Sequence, residues 1–507
     1  MTTDTTTAAA SFDLLAKPWI PVLDASHGNT HVGISTALLN AHRLYLGAPG
    51  LEQQVLLRLL LAVLDAAAGP ADDAEWDTAW AAPTLPTDRI TAYLDRWAHR
   101  FDLFGEQPFG QCVGLTEANR STHHLKPSRW GGQGREFFDH SLAGEARAFD
   151  PAEAALALLK LQAVHPGGIQ GAHPSDPEGR GGRRYGSKPG HLSVVTNLAV
   201  NAPGATLKDM LLLNLPPRPR TAADRPVWEG PVPGTAGTQR EPEGRLDLWT
   251  WSTRRVRLFT GNDGQVTGLA LYDGDRMADP RAAAHAHDPL TARTAKGSPL
   301  PVADAAGFTI PWSVGLLLDP AGEAAATSAV VEHVLRAAER GVLDPGLRLA
   351  AELLQVVHSN QHRASIAGMH EVTSSLGSAG NLADGGGRAA LGAAARLAHD
   401  VQRALYGAGA DAFRLRIKDV QPRQSASLGR LVGSGHAWDD LAPEPGSGFD
   451  RWITALEQAV DGVSQAMATS DIMATSRFTA EARTILFRCA RRVQPVVRRV
   501  GARGVAA

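Results

Sequence analysis

The sequence predicts an α+β protein: a large mixed α/β N-terminal domain followed by a C-terminal antiparallel helical bundle of four helices. Three observations predict it. The chain has 507 residues, too many for one hydrophobic core, so two or three domains are expected. Residues 245–274 carry two strand-like runs, RLDLWTWSTRRVRLFT and QVTGLALYDG, separated by the turn residues GNDG. From about residue 324 the text reads as helical, with short connections that favour antiparallel packing. The expected limits are a polar tail over 1–11, the mixed domain over 12–370 and the bundle over 371–507.

Along the chain, PWIPVLD (18–24) reads as a short strand entering a turn at ASHGNT. LEQQVLLRLLLAVLDAAA (51–68) is apolar on nearly every side, the pattern of a buried helix. TDRITAYLDRWAHRF (87–101) is amphipathic, with Thr87 as its expected N-cap. FDPAEAALALLKLQAV (149–164) starts a helix with Asp150 as cap and Pro151 at the first helical position. After the two strands, residues 275–310 are rich in loop signals, and HAHD (285–288) reads as a solvated loop. The helical text comprises SAVVEHVLRAAERGV, LRLAAELLQVVH, RAALGAAARLAHDVQRALYG, FDRWITALEQAV and FTAEARTILFRCARRV.

Hydrophobic residues at 43% and charged residues at 20% exclude wholesale disorder. The net charge of −2 announces no polyanionic partner, but its distribution does. From Arg477 onward there are eight Arg against the single acid Glu481, an asymmetry that steers polyanions to one face. Two distant cysteines, Cys112 and Cys489, fit a reducing compartment. No apolar run reaches the roughly 18 residues of a membrane span, and the N-terminus lacks a signal-peptide pattern. A soluble cytoplasmic protein without a membrane partner is expected.

The most unusual stretch is PGGIQGAHPSDPEGRGGRRYGSKPG (166–190), which stands between two apolar runs. Twelve of its 25 residues are Gly or Pro and four are Arg or Lys. It fails the phosphate-loop pattern, because Pro189 follows the lysine and removes an amide donor. HSNQH puts His358 and His362 at i and i+4, but a zinc protease needs Glu where Ser359 stands, and no third ligand is evident. GxSxG is absent, and neither cysteine has a nucleophile's context. No metal, cofactor or catalytic residue is therefore expected. A metal- or nucleotide-dependent enzyme using the His pair or the glycine loop is the alternative.

The basic features say more. In TRRVRLF (253–259), Arg255 and Arg257 share one face of a strand, either solvated or turned to phosphates. Arg488, Arg491 and Arg492 recur at helical spacing as a basic stripe. In the loop, Arg180, Arg183, Arg184 and Lys188 sit among glycines that let backbone amides approach a duplex. Together these point to nucleic acid.

FDLLAKPWIPV, FDLFGEQPFGQ (101–111), REFFDHS (135–141), the helix running into PGG, RPVWE (225–229) and WTWSTRRVRLF occur in this order. The series resembles the CasA family, the large subunit of the type I-E CRISPR surveillance complex Cascade, over roughly residues 12–490. The resemblance implies a noncatalytic subunit partnered by crRNA and by backbone and small subunits. It implies recognition of the protospacer-adjacent motif (PAM) in double-stranded DNA, help in opening the duplex into an R-loop, and recruitment of a helicase–nuclease. It assigns PAM reading from the minor groove to Gly167, Gly168 and Gly171, with HPSDPEGRGGRRY as an insertion expected to be mobile without DNA. It assigns a duplex-opening wedge to Asn360 and Gln361, with His362 as the alternative tip, and a PAM-contacting lysine to Lys296. It makes Phe137, Phe138, Asp139 and His140 the anchor to the crRNA end. Some relatives carry a zinc-binding cysteine cluster; this chain lacks those cysteines, so no metal is implied.

Overall fold

A buried helix with a polar stripe organises the first part of the molecule. In Gly50–Ala68 the residues facing neighbours are almost all apolar, yet Gln54, Arg58 and Asp65 are buried with them. Their spacing of four and seven places them on one helix face. Arg58 donates to Gln54 Oε1 at 3.3 Å and to Asp288 Oδ2 at 2.7 Å. Asp65 accepts two bonds from Arg245, at 2.8 and 2.7 Å, and one from Arg218 at 2.9 Å. Each buried charge is thus met by an opposite charge, the condition for tolerating it in a core.

The computed structural model describes residues 11–24, 28–127, 130, 147–294, 300, 302, 317–318, 326–359, 365–386, 388–389, 392 and ten isolated helical positions between 454 and 491. It divides into two compact units, one of residues 1–193, 206–289 and 356–368, the other of 194–205, 290–355 and 369–507.

In the first unit, Ile20–Asp24 is the centre of a three-stranded antiparallel sheet with Gly28–Val32 and Leu44–Leu46. Thr87–Trp97 is helical as expected, but Pro86 holds the cap position and Thr87 is already the first helical residue. Pro151–Val164 starts as expected, with a capping box in which Asp150 and Glu153 satisfy each other's amides. The strand expected over 245–260 begins only at Arg254. Its first part, Arg245–Trp249, is a short helix because Asp224 accepts from the amides of Leu246 and Asp247, while Arg245 reaches Asp65. HAHD is not a solvated loop: Pro280–His287 is a helix capped by Asp279, and Asp288 is buried against Arg58 and Trp249 Nε1.

Strands Arg254–Thr260 and Val266–Asp273 pair antiparallel, with Arg120–Ser121 on the outer edge. FDLFGEQPFGQ and RPVWE pack together beside them. Trp228 lies against Phe101 and Phe109, with ring centroids 5.1 and 6.0 Å apart. Its Nε1 donates to Tyr93 Oη at 2.7 Å, and Gln111 Oε1 accepts from the Leu258 amide.

Arg348–Ser359, which belongs to the second unit as far as Gln355, is the central strand between Val194–Val200 and Ser365–Ser378. LRLAAELLQVVH was expected to be helical. It is a strand because it pairs along both edges, Leu349 to Val200 through Gln355 to Val194 on one side. A strand covered on both faces is apolar without alternation, and its Leu and Ala content mimics a helix. The connection to Ser365–Ser378 is five residues long, which only an antiparallel return allows. Ala329–Glu339 is a helix as expected. Ser365–Ser378 runs across the expected boundary at 370, and the remainder of the expected bundle lies largely outside the described residues.

Asp65→Ala leaves Arg245 buried without its partner and should lower unfolding free energy by about 3–5 kcal/mol, measured by denaturant titration. Burial alone raises the Asp65 carboxyl, but Arg245 and Arg218 outweigh it and hold the group below its ordinary value. Its contribution should therefore be intact above about pH 4 and be lost as pH falls through that lower value.

Candidate nucleic-acid interface

The glycine-rich stretch is a β-ribbon. The helix Pro151–Val164 ends, the chain passes His165 and Pro166, and Gly168–Gly171 pairs antiparallel with Arg183–Ser187. At the far end the Arg180 amide donates to the Arg183 carbonyl at 2.8 Å, and Arg183 returns the bond at 3.1 Å. Gly181 and Gly182 between them have φ of +58° and +71°. Two consecutive left-handed residues make a type I′ turn, which matches strand twist and demands glycine. Within the segment expected to be an insertion, residues 180–183 thus form a hydrogen-bonded turn.

The base of the ribbon is held by one side chain that the sequence reading passed over. Arg254, 1% exposed, begins the neighbouring strand. Its Nη2 donates to the Pro166 carbonyl at 2.6 Å and to the Lys188 carbonyl at 3.2 Å, one on each arm of the ribbon. Nη1 donates to the Thr253 carbonyl at 2.7 Å and to Asp273 Oδ1 at 3.2 Å, and Asp273 also accepts from Ser187 Oγ. Gln162 locks the Arg254 backbone from both sides, at 2.9 Å each way.

Nε of Arg254 donates to His165 Nδ1 at 3.0 Å. A guanidinium is always a donor, so Nδ1 is the acceptor and the imidazole is neutral, with its proton on Nε2. Burial first, and the Arg254 charge second, push His165 well below its ordinary value. Burial also lowers Arg254, to about 10, against the charge of Asp273, so it stays cationic at neutral pH.

The named residues separate clearly. Gly167, Gly168 and Gly171 lie on the first arm. A Cβ on Gly167 would stand 2.5 Å from the Ser187 carbonyl, so glycine is needed there for the arms to close. Gly168 has φ of +88°, whereas Gly171 is sterically free, its nearest neighbour 3.4 Å from an added Cβ. Arg180, Arg183 and Lys188 are exposed. Arg184 corrects the expectation of a phosphate contact: its guanidinium is buried and binds Asp176 and Glu178, at 2.6 Å each.

Arg255, on the strand face it was expected to share with Arg257, is neither solvated nor turned to phosphates. Arg255 is buried on Asp275 at 2.6 Å, and Arg257 is half-buried. His358 stands on a strand, so the helical i, i+4 geometry assumed for a His pair does not exist there. Arg491 is exposed on a helical residue, 5.7 Å from the Phe487 ring. Phe137, Phe138, Asp139, His140, Lys296, Asn360, Gln361, His362, Arg488 and Arg492 lie outside the described residues. Sequence reasoning missed Ile169 and Tyr185, 59% and 54% exposed on the ribbon. The period-two alternation of RRYGS after the Gly-Gly turn is the signal that marks Tyr185.

Arg254→Met keeps the volume but removes the bonds to both arms. Amides of 166–189 should exchange with solvent at least about tenfold faster by hydrogen-exchange mass spectrometry, since a charged hydrogen bond contributes about 1.5–3 kcal/mol. Acid should act in the same direction. A histidine kept neutral by the fold stabilises it fully above its unfolded value near 6.5, and this is lost as pH falls through the depressed folded value. The protection factors in this segment, exchange rates corrected for the intrinsic pH dependence of amides, should therefore fall below about pH 6, and His165→Gln should flatten the profile.

The family profile of CRISPR-associated protein Cse1 matches residues 13–484. CasA/Cse1 of Thermus thermophilus is 37% identical over 305 residues, 57% of this chain and 56% of that protein; the match spans just over half the length of that curated relative. Among solved structures, Thermobifida fusca Cse1 superposes with a TM-score of 0.76 at 23% identity, covering 97% of this chain and all of that one. Thermus thermophilus CasA gives 0.72 at 25% identity, covering 94% and 99%. A chain of a CRISPR RNA-guided surveillance complex gives 0.73 at 18%, also covering 94% and 99%. With a profile match over nearly its whole length, the chain belongs to the CRISPR-associated Cse1 (CasA) family.

Proposed function

We propose that this chain is the noncatalytic large subunit of a type I-E Cascade-like, crRNA-guided complex, and that its glycine ribbon reads the PAM in double-stranded DNA. The observation that carries the reading is the ribbon itself: a strand pair with half-buried Gly168 and Gly171 on its first arm, fixed at its base by Arg254 and bearing three exposed cations without an acidic partner among the described residues. A duplex minor groove offers mainly acceptors, N3 of adenine and O2 of thymine. Gly168 and Gly171 have no side chain to screen the backbone, so an amide there that the strand ladder leaves free is a donor complementary to those acceptors.

The complex supplies the remaining partners: crRNA, backbone and small subunits, and a recruited helicase–nuclease. Asn360 and Gln361, with His362 as the alternative tip, serve as the wedge that parts the first base pairs. Lys296 adds a PAM contact, and Phe137, Phe138, Asp139 and His140 anchor the subunit at the crRNA end. Arg488, Arg491 and Arg492 contribute phosphate contacts. Sequence specificity beyond the motif then resides in base pairing, as in other RNA-guided effectors.

The test compares reconstituted complex with and without this chain on duplexes that differ only in the motif. With the chain, the motif-bearing duplex should bind at least about tenfold more tightly, a difference of about 1.4 kcal/mol. Equal binding of both duplexes rejects the reading. Asn360→Ala combined with Gln361→Ala should slow R-loop formation while initial duplex binding stays near wild type; an unchanged opening rate removes the wedge assignment.

A further inference from the structure

One arginine of the first unit stands apart from the rest. Among the described residues of that unit, every other buried or half-buried arginine donates to a carboxylate or a carbonyl, as Arg58 does to Asp288 and Arg100 to Gly230. Arg257 is half-buried and has no such partner, and its Nη1 is buried without an acceptor. The only nearby described group that can carry negative charge is the Cys112 thiol, which burial keeps protonated. An orphaned buried N–H is costly, and native proteins keep few of them.

Arg257 belongs to the face of strand Arg254–Thr260 that also carries Arg255 and Phe259. The ladder puts Ala270 opposite Arg257 and Tyr272 opposite Arg255. Phe259 and Tyr272 are half-buried against Cys112, Leu115 and Ala270. Val113, 46% exposed, follows Cys112, whose amide donates to the Val256 carbonyl at 2.9 Å. The neighbourhood thus combines one unpaired guanidinium, two half-buried rings and an exposed valine.

What this surface lacks is an anion. A nucleic-acid backbone repeats its charge, so a site for it presents several free cations. Here there is one, because Arg255 is spent on Asp275. Arginine and aromatic residues with few other charges are the make-up of the centre of a protein–protein contact. The planar guanidinium matches a carboxylate with two parallel bonds. A partner's carboxylate would therefore give Nη1 its acceptor, while apolar neighbours of that carboxylate cover Val113 and Phe259.

We infer that Arg257, with Val113, Phe259 and Tyr272, is a docking point for another protein chain, which supplies an Asp or Glu carboxylate flanked by apolar side chains. The inference rests on the reading of this chain as a subunit of a larger complex. It goes beyond that reading by naming a contact surface built on the strand pair Arg254–Thr260 and Val266–Asp273 rather than on the glycine ribbon.

The experiment uses the full chain and the reconstituted complex. The photoreactive residue p-benzoylphenylalanine in place of Val113 should cross-link to a protein subunit, within a segment that contains Asp or Glu. Arg257→Met should reduce incorporation into the complex at least about tenfold, because the partner's carboxylate is then buried unpaired. The same variant alone should melt within about 2 °C of wild type or higher, since the free chain loses no bond. Arg257→Glu should also fail to assemble, and exchanging the cross-linked carboxylate for Lys should restore it. Cross-linking to crRNA or DNA instead overturns the inference. A melting temperature lowered by more than about 5 °C, with normal incorporation of the folded fraction, identifies a structural residue and overturns it as well. A wild-type chain that assembles no better than Arg257→Met leaves the proposed function standing and removes the docking point. A wild-type chain that never enters the complex rejects the proposed function and this inference with it.

Discussion

A single buried guanidinium sets the geometry of the surface that faces DNA in our reading. Arg254 ties the carbonyls of Pro166 and Lys188 together and is itself held by Asp273, Thr253, His165 and Gln162. Burying that charge is tolerable only because every side of it is bonded. Without it, the two arms of a strand pair rich in glycine would have to stay together on a few ladder bonds. An isolated two-stranded hairpin is marginally stable in water. Anchoring to a core strand converts that marginal element into an extension of the sheet behind it.

The same economy recurs elsewhere in the first unit. Asp65 fastens Arg245 and Arg218, Asp288 fastens Arg58 and Trp249, and Asp275 fastens Arg255 and Arg240. Much of the arginine that makes the sequence look like a nucleic-acid binder is therefore internal. Buried pairs of this type are weak sources of net stability, but removing one partner is strongly destabilising. They fix which segments meet: the helix Gly50–Ala68 with residues 218–245, and the strand at Arg254 with the ribbon.

Elements whose signals are local were legible in the sequence. The buried helix 50–68, the Asp150–Pro151 start and the strand Val266–Asp273 follow from composition, capping chemistry and alternation. Arg348–Ser359 was not, because its identity depends on having partners on both edges. The ribbon's location and the exposure of Arg180, Arg183 and Lys188 were readable from charge and glycine content. Arg184 was not separable from its neighbours, since only the fold decides which of two adjacent arginines turns inward toward Asp176. Arg254 left no sign at all: one arginine among several in a strand reads like any other.

The contacts of Arg254 to the ribbon are made to main-chain carbonyls, those of Pro166 and Lys188, which every residue possesses. The fastening thus reads no side chain directly, and only Gly167 and Ser187 beside it are constrained, one by space and the other by its bond to Asp273. Outward positions such as Ile169 and Tyr185 take no part in its bonds. A surface of this type can be rewritten for a different target while its foundation stays the same. Such separation lets variation concentrate on a few exposed positions while the buried anchor stays fixed.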